Sequence, residues 1–270
     1  MKLSRACEIL RLGGVDEPMH DARELFMQIG GISRHELMLS DAECDVPELL
    51  RAVERRAARE PLQYIIGEVC FYKETYLVNE NCLIPRSDTE ILVDYAVKNL
   101  PHGAHFLDLC TGSGCVGIST LCNTKDTTAC LADISEGALG LARRNAERNG
   151  VLKRAEFRLC DVLSQRIPGN LFAVLANPPY VTGEAYEALA PEISYEPRIA
   201  FLGGADGMDF YRRLTLLYRD AIPSEGFIAY EIGYDQGEKI AEVARNNKMS
   251  CELIRDLSGN DRVAVLRVMH

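Results

Sequence analysis

The sequence predicts an α/β protein with a doubly wound, mainly parallel sheet, preceded by a small helical domain and a β-hairpin. From residue 105 onward, short apolar stretches alternate with helical patterns, which is typical of strand–helix–strand units. The apolar run at 171–176 has no polar face, as expected for a strand buried on both sides. Two β-rich stretches flank the turn-like residues 258–261 and predict a terminal hairpin, with an antiparallel strand at or near one sheet edge.

Composition limits the classes to which the chain can belong. Its 270 residues, of which 47% are hydrophobic, suffice for one large domain or for a large and a small one. A formal net charge of −10 disfavours a general attraction to long nucleic acids. The first residues follow a helical pattern without a leader, and no apolar run approaches the ~20 residues that span a bilayer. We therefore expect a cytoplasmic protein without membrane association or direct nucleic-acid binding.

The ten cysteines do not form a recognisable metal or disulfide pattern. None belongs to a Cys-x-x-Cys pair, and several alternate with apolar residues as buried small side chains do. The sequence predicts reduced thiols and no metal site.

Residues 1–60 predict a helical domain, because apolar residues recur there at helical spacing between short breaks. Such a bundle could be a packing or dimerisation module, or it could recognise a macromolecular substrate; the sequence leaves both open. Residues 61–84 predict a β-hairpin linker, because the β-rich stretches 64–67, 70–72 and 75–78 are separated by turn-like residues.

Residues 85–270 predict the larger domain. Its first helix follows Ser87 and Asp88, either of which could cap the helix with a side-chain oxygen. Further helices are predicted at Cys115–Cys122 and at 135–149, where Gly150 ends the second of them. Seven strands are predicted, at 105–109, 128–132, 155–160, 171–176, 226–232, 251–257 and 262–268.

A glycine-containing turn follows the first of these strands, and Asp133 ends the second. This arrangement is typical of nucleotide-cofactor sites, where Gly112 and Gly114 let the backbone approach the ligand and an acid accepts from ribose hydroxyls. Gly117 is in register with the third glycine of the Gly-x-Gly-x-x-Gly pattern of NAD enzymes. A dinucleotide site therefore remains open on this feature alone.

The tetrapeptide Asn177-Pro178-Pro179-Tyr180 ends the fourth strand, because consecutive prolines give no N–H to a ladder. It places an amide, backbone carbonyls and an aromatic ring where open α/β sheets bind ligands. The Asn177 side-chain oxygen and the Pro178 carbonyl could each accept one hydrogen of a planar amino group, while Tyr180 covers its flat face. A simple turn is the competing interpretation, since Asn-Pro often begins turns.

A cofactor with a sulfonium group accounts for both features. S-adenosylmethionine has a ribose for Asp133, an adenine for Asp161 and Val162, and a methyl group directed from the glycine turn towards Asn177. Hydrogen bonds from the acceptor nitrogen would strengthen as positive charge develops on it, so no general base is needed before transfer.

The Asn177 tetrapeptide resembles the signature of methyltransferases that act on planar amino groups in DNA, RNA and protein glutamines. Residues 85–90, 196–200 with 203–211, and 256–262 resemble the release factor glutamine methyltransferase family, known as PrmC or HemK. The similarity runs from about Pro61 to the carboxyl end. It implies a Rossmann-like, seven-stranded class I S-adenosylmethionine-dependent methyltransferase domain that modifies the glutamine of the Gly-Gly-Gln motif in peptide chain release factors.

The expected site residues follow from the resemblance together with the chemistry above. The predicted cofactor-binding residues are Cys110, Thr111, Gly112, Ser113, Gly114, Asp133, Asp161, Val162 and Asn177. The predicted acceptor-binding residues are Asn177, Pro178, Pro179, Tyr180, Arg86 and Arg198, of which Asn177, Pro178 and Tyr180 are the catalytic candidates. For Arg86 and Arg198, an ordinary ion pair and a role in holding the acceptor loop or shaping the pocket are both open.

Two residues depart from the family pattern. Cys110 replaces the usual first glycine of the turn and fits there without strain if its φ is negative. Val162 follows Asp161 where some members have an aromatic residue, so aliphatic packing would replace stacking on adenine. The alternatives are methylation of a ribosomal-protein glutamine or a nucleic-acid amino group, and a non-enzymatic, cofactor-binding scaffold protein.

Overall fold

The computed structural model describes residues 1–269, which form two compact units. The first comprises Met1–Glu68 and Ala190–Tyr195, and the second comprises Val69–Leu189 and the chain from Glu196 onward. The boundary after Glu68 falls within the stretch at 61–84 that the sequence assigns to a linker. Within the described residues, no helix combines the length and apolar character that crossing a membrane requires.

Helices form the first unit around one apolar core. Pro18 and Pro47 stand at the first turns of two of these helices, where proline fits because its missing N–H has no helical partner. The core includes the fully buried Leu10, Phe26 and Leu49. The helices are α1 (Leu3–Leu12), α2 (Pro18–Gln28), α3 (Arg34–Leu39), α4 (Pro47–Ala57) and α5 (Leu62–Ile66).

The prediction of β structure at residues 64–67 is wrong, because α5 occupies this segment. Pro61 precedes the helix, and Gly67 ends it in the left-handed conformation, at φ +86°. Leu62 and Ile65 are both buried in the core of the first unit, and their three-residue spacing places them on one face of a helix. Tertiary burial therefore overrides the β propensity of this stretch. The hairpin itself is present, as β1 (Glu68–Phe71) and β2 (Glu74–Leu77).

A seven-stranded sheet forms the centre of the second unit, as predicted. Its strands are β3 (His105–Leu109), β4 (Thr128–Asp133), β5 (Ala155–Leu159), β6 (Ala173–Ala176), β7 (Phe227–Glu231), β8 (Met249–Arg255) and β9 (Asp261–Val268). The order is β5-β4-β3-β6-β7-β9-β8, and β9 runs antiparallel to both of its neighbours. The predicted terminal hairpin thus forms one end of an otherwise parallel sheet.

Helices cover both faces of this sheet. The covering helices are α6 (Glu90–Asn99), α7 (Cys115–Cys122), α8 (Glu136–Arg148), α10 (Asp209–Tyr218) and α11 (Gly237–Asn246), whereas the short α9 (Gly183–Glu187) has no buried residue. Along β6, Val174 belongs to the core on one face and Leu175 to the core on the other. This two-sided burial explains why the run at 171–176 is apolar throughout.

The predicted capping of α6 by Ser87 or Asp88 is also wrong. A 3₁₀ turn at Ser87–Thr89 precedes the helix, and neither side chain caps it. Thr89 occupies the capping position, but its hydroxyl donates to Glu231 at the end of β7. A tertiary hydrogen bond has therefore replaced the local one.

Candidate active site at the carboxyl edge of the sheet

A cavity of about 530 Å³ lies in the second unit, where β3, β4 and β6 end. Parallel strands bring their carboxyl ends to one edge, so residues distant in sequence line it together. Among the predicted site residues, those that line it are Arg86, Cys110, Thr111, Gly112, Ser113, Asp133, Asp161, Val162, Asn177 and Pro179. Gly114, Pro178, Tyr180 and Arg198 do not line it.

The turn after β3 has a left-handed backbone at three positions. Gly112 and Gly114 have φ of +54° and +84°. The left-handed backbone favours glycine at 114, and a Cβ there would also lie 3.1 Å from Ala142 Cβ, a tight contact. Cys110 has φ +59°, and the condition of a negative φ is not met. The cysteine therefore carries strain of about 1 kcal/mol, which a glycine would not.

Asp108 supports this turn from beneath, a role that the sequence prediction missed. Its Oδ2 accepts hydrogen bonds from Thr111 Oγ1 at 2.5 Å and from the Gly117 N–H at 2.9 Å. Burial raises the pKa of Asp108 to about 7, although both hydrogen bonds act in the opposite direction. The sequence feature that could have revealed this role is a carboxylate between two leucines, Leu107 and Leu109, within a predicted strand.

Gly117 is a packing residue between α7 and β3. A Cβ there would lie 2.8 Å from Asp108 Oδ2 and 3.0 Å from Leu131 Cγ. The third glycine, which kept a dinucleotide site open in the sequence, is thus explained by close packing beneath the turn.

Asp133 is the last residue of β4, and its side chain connects this strand to the glycine turn. Its Oδ2 accepts from the Gly112 N–H and its Oδ1 from the Ser135 N–H, both at 2.9 Å. Burial raises the pKa of Asp133, and the backbone hydrogen bonds limit the rise. The carboxylate as a whole keeps lone-pair capacity for a further donor, such as a ribose hydroxyl.

The geometry of the turn fits a nucleoside cofactor. A Cβ on Gly112 would have only Cys82 Cβ within 4 Å, at 3.8 Å, so the cavity is open beside this backbone. Further along the wall, Val162 is buried while Asp161 is exposed, with its Oδ1 accepting from the Leu163 N–H at 3.0 Å. These residues supply an apolar wall and a free carboxylate oxygen for a base.

Asn177 follows β6 and is joined to two residues that the sequence prediction missed. Its Nδ2 donates to Thr89 Oγ1 at 3.2 Å, and Thr89 Oγ1 donates to Glu231 Oε2. Burial raises the pKa of Glu231 to about 7, against the effect of the Thr89 hydrogen bond. The Tyr180 hydroxyl donates to the other oxygen, Glu231 Oε1, at 3.4 Å. The only sequence feature that pointed to Glu231 was its position as an acid at the end of β7, which matches that of Asp133 at the end of β4.

The backbone of the tetrapeptide is held by the segment that follows it. Gln236 Nε2 donates to the Tyr180 carbonyl at 3.2 Å and to the Gly207 carbonyl at 3.3 Å. A Cβ on Gly203 would lie 2.5 Å from the Pro179 carbonyl oxygen. This close packing explains the glycines at 203 and 207 in the family-like stretch.

The two candidate arginines differ in position. Arg86 lines the cavity and donates to Glu196 Oε1, while Glu196 Oε2 accepts from the Ile84 N–H at 2.9 Å. Arg198 is exposed, where it lies over the Tyr186 ring and donates to Glu187 Oε1 at 3.3 Å. Arg86 thus shapes the cavity wall through a buried acid.

Across residues 1–269, no three His, Cys, Asp or Glu side chains are grouped so that they could hold a metal ion. The polar groups of the cavity are carboxylates, two side-chain amides, hydroxyls, the Arg86 guanidinium and backbone N–H groups. This set suits a polar ligand that carries hydroxyl and amino groups, and the carboxylates favour a positively charged one.

Comparisons with known proteins identify the family to which the chain belongs. A family model described as "PrmC N-terminal domain" matches residues 2–67, and one described as "Methyltransferase small domain" matches residues 87–194. A protein of Geobacter sulfurreducens named release factor glutamine methyltransferase is 35% identical over 262 residues, which cover 94% of this chain and 91% of that protein. A Fusobacterium nucleatum protein of the same name is 31% identical over 277 residues, covering 98% and 77%.

A solved structure supports the fold alone. The ribosomal protein L11 methylase of Lactobacillus delbrueckii superposes with a TM-score of 0.50 at 18% identity, over 72% of this chain and 84% of that one.

Proposed function

Because the chain belongs to the release factor glutamine methyltransferase family, we propose that it methylates peptide chain release factors. The methyl group passes from S-adenosylmethionine to the side-chain amide nitrogen of the glutamine in the Gly-Gly-Gln motif, and so modulates translation termination. The cavity at the carboxyl edge of the sheet supports this proposal, because the cofactor-type turn and Asn177 both line it.

The cofactor, when bound, supplies an electrophilic methyl group on a sulfonium. Asp133 accepts hydrogen bonds from the ribose hydroxyls with the lone pairs that Gly112 and Ser135 leave free. Gly112 allows close approach of the backbone, and Val162 packs against the adenine in place of an aromatic ring. The cofactor contacts at Cys110, Thr111, Ser113, Gly114 and Asp161 belong to the same proposal.

The acceptor amide is oriented by Asn177 and Pro178. The Asn177 side-chain oxygen and the Pro178 carbonyl each accept one of its two hydrogens, which directs the nitrogen lone pair towards the methyl group. Both hydrogen bonds strengthen as positive charge develops on nitrogen, so they lower the barrier more than they strengthen ground-state binding. The product nitrogen then loses a proton to solvent.

Tyr180 and the arginines complete the proposed acceptor site. The Tyr180 ring, anchored through its hydroxyl at Glu231, covers the flat face of the amide together with Pro179. Arg86 shapes the wall near the acceptor, and Arg198 offers an exposed guanidinium to the substrate loop.

We also propose that the helical region at 1–60 helps to recognise the release factor, in the cytoplasm where translation takes place. Exposed Met38 and Leu39 on the first unit offer apolar contact area to a protein partner. Direct nucleic-acid binding is not part of the proposal, because the chain is acidic overall.

The observation that carries the proposal is that Asn177 lines the same cavity as Asp133 and the glycine turn. The test is mass spectrometry of an unmethylated release factor after incubation with the protein and S-adenosylmethionine. We expect one methyl group on the Gly-Gly-Gln glutamine, absent when Asn177→Ala is used. Cofactor binding without this modification would contradict the proposal and redirect the assay to ribosomal proteins and nucleic acids.

A further inference from the structure

Three polar side chains from separate elements meet at the edge of the cavity, which Thr89 and Asn177 line and Glu231 does not. Asn177 and Glu231 directly follow the paired residues Ala176 and Tyr230 on the neighbouring strands β6 and β7. Thr89, from the turn before α6, lies between their side chains. Thr89 is 1% exposed and Glu231 is 2% exposed, so water does not compete for these hydrogen bonds.

The direction of the hydrogen bonds follows from the chemistry of the groups. When Glu231 is ionised its carboxylate only accepts, so the single hydroxyl proton of Thr89 points to Glu231 Oε2, at 2.5 Å. The Thr89 oxygen then presents only lone pairs to Asn177, 3.2 Å away. An amide can face those lone pairs with its N–H groups but not with its oxygen. The Asn177 oxygen is therefore turned away from Thr89.

Glu231 is unusual for a buried carboxylate, because within residues 1–269 it has no ion-pair partner. The nearby Arg262 pairs instead with Asp256 at 3.2 Å and with Asp88 at 3.3 Å. Burying an unpaired carboxylate is costly, and a neutral side chain of similar size would avoid that cost. A purely structural role does not account for a charge at this position.

We propose that Glu231 is a positioning residue which, through the Thr89 hydroxyl, fixes the Asn177 amide with its oxygen directed at the methyl acceptor. The same carboxylate holds the Tyr180 hydroxyl through its second oxygen, so one buried group orients both polar side chains of the tetrapeptide. This inference rests on the proposed function, because it assigns the freed Asn177 oxygen to the acceptor amide.

Thr89→Val is the central variant in the test. It keeps the volume of the side chain and removes the hydroxyl that connects Asn177 to Glu231. We expect the single-turnover rate of methyl transfer to fall about 10- to 100-fold, because a freely rotating amide no longer presents its oxygen. The Kd for S-adenosylmethionine, measured by calorimetry, should not change. Thr89→Ser restores the hydroxyl and should recover most of the rate.

Two further variants complete the series. Thr120→Val removes a buried hydroxyl elsewhere in the same unit, where it donates only to the Val116 carbonyl, and it should not affect transfer. Glu231→Gln can offer either an oxygen or an N–H to Thr89, so the hydroxyl direction is no longer fixed and the rate should fall through kcat.

A spectroscopic measurement tests the geometry without turnover. In protein labelled with ¹⁵N at asparagine, the Asn177 side-chain amide signals are identified by their loss in Asn177→Ala. In the wild type, one of these protons should exchange slowly with water. In Thr89→Val it should exchange like that of an exposed asparagine, while Thr120→Val should leave it unchanged.

The outcomes separate this inference from the proposed function. Wild-type transfer rates in Thr89→Val, or unchanged Asn177 amide signals, would overturn the inference and leave the function standing. Equal losses in Thr89→Val and Thr89→Ser would overturn it as well, since the hydroxyl would then not be the cause. If the wild type transferred no methyl group, the proposed function would fall, and the amide signals alone would decide the geometry.

Discussion

Ionisation of Glu231 should make the protein less stable as the pH rises, and Glu231→Gln should remove this effect. The perturbation is a change of one buried carboxyl to an amide of nearly the same size. Burial raises the pKa of Glu231 from its ordinary 4.5 to about 7 in the folded protein. The folded state therefore holds a proton that the unfolded state has already released, over the range between these values.

The sign and size follow from this difference. Where the folded state binds more protons, the free energy of unfolding falls as the pH rises, so the contribution is full below 4.5 and is lost as the pH passes about 7. At about 1.4 kcal/mol for each tenfold change in proton affinity, the loss reaches about 3 kcal/mol. Two charged groups face Glu231: Arg262 lowers its pKa and Asp88 raises it. The hydrogen bond from the Tyr180 hydroxyl also lowers the pKa, and the value of about 7 results from all of these together with burial.

The assay is urea unfolding of the wild type and of Glu231→Gln between about pH 5 and about pH 8. The chain has no tryptophan and eleven tyrosines, most of them in the second unit, so tyrosine fluorescence reports that unit. Burial also raises the pKa of Asp108 to about 7. Asp108 therefore makes the stability of both proteins depend on pH in the same way, and its effect cancels when the two unfolding free energies are subtracted. Glu252→Gln, at an exposed position, is the matched control.

We expect the wild type to lose stability relative to Glu231→Gln as the pH rises, while its methyl transfer rate increases, because the ionised carboxylate is the form that orients Thr89. Parallel stability curves for the two proteins would refute the reasoning. So would a wild-type transfer rate that is flat through about pH 7.

Three further predictions concern other parts of the molecule. Asp133→Asn should weaken S-adenosylmethionine binding about 10- to 100-fold in calorimetry, because the amide NH₂ would face either the Gly112 or the Ser135 N–H, both of which donate to the carboxylate in the wild type. Unchanged affinity would contradict the role of Asp133. Gly117→Ala should lower the free energy of unfolding by about 1 to 3 kcal/mol in urea, since its Cβ would lie 2.8 Å from Asp108 Oδ2. Unchanged stability would show that α7 can shift to accommodate the added methyl group. Arg56→Leu should destabilise the first unit by about 3 kcal/mol in thermal unfolding, because buried Asp21, 2.7 Å from the guanidinium, would lose its counter-ion; an unchanged midpoint would disprove that coupling.

Patterns within short stretches predicted the architecture well. The run at 171–176 showed a strand buried on both faces, and the following prolines showed where it ends. Asp133 could be predicted as a strand-terminal acid because β4 alternates with helices in a recognisable order. These features can be read from neighbouring residues, because proline lacks an N–H and a continuous apolar run indicates a strand buried on both faces.

Local patterns failed where tertiary interactions competed with them. Residues 64–67 have β propensity but form a helix, because Leu62 and Ile65 are buried on one side. Cys110 has a left-handed backbone that a residue type alone does not reveal. Propensity is a weak preference that burial and hydrogen bonding overcome.

The sequence by itself determined the fold class, the seven strands and the cofactor type, and it singled out the tetrapeptide that we propose holds the acceptor, because each of these depends on patterns within short stretches. Only the tertiary structure decided which groups orient Asn177. Thr89 lies 88 residues from Asn177 and 142 residues from Glu231, and the three meet because β6 and β7 are neighbours in the sheet. A hydrogen-bond chain of this kind has no spacing rule along the sequence, since its geometry depends on strand order and packing.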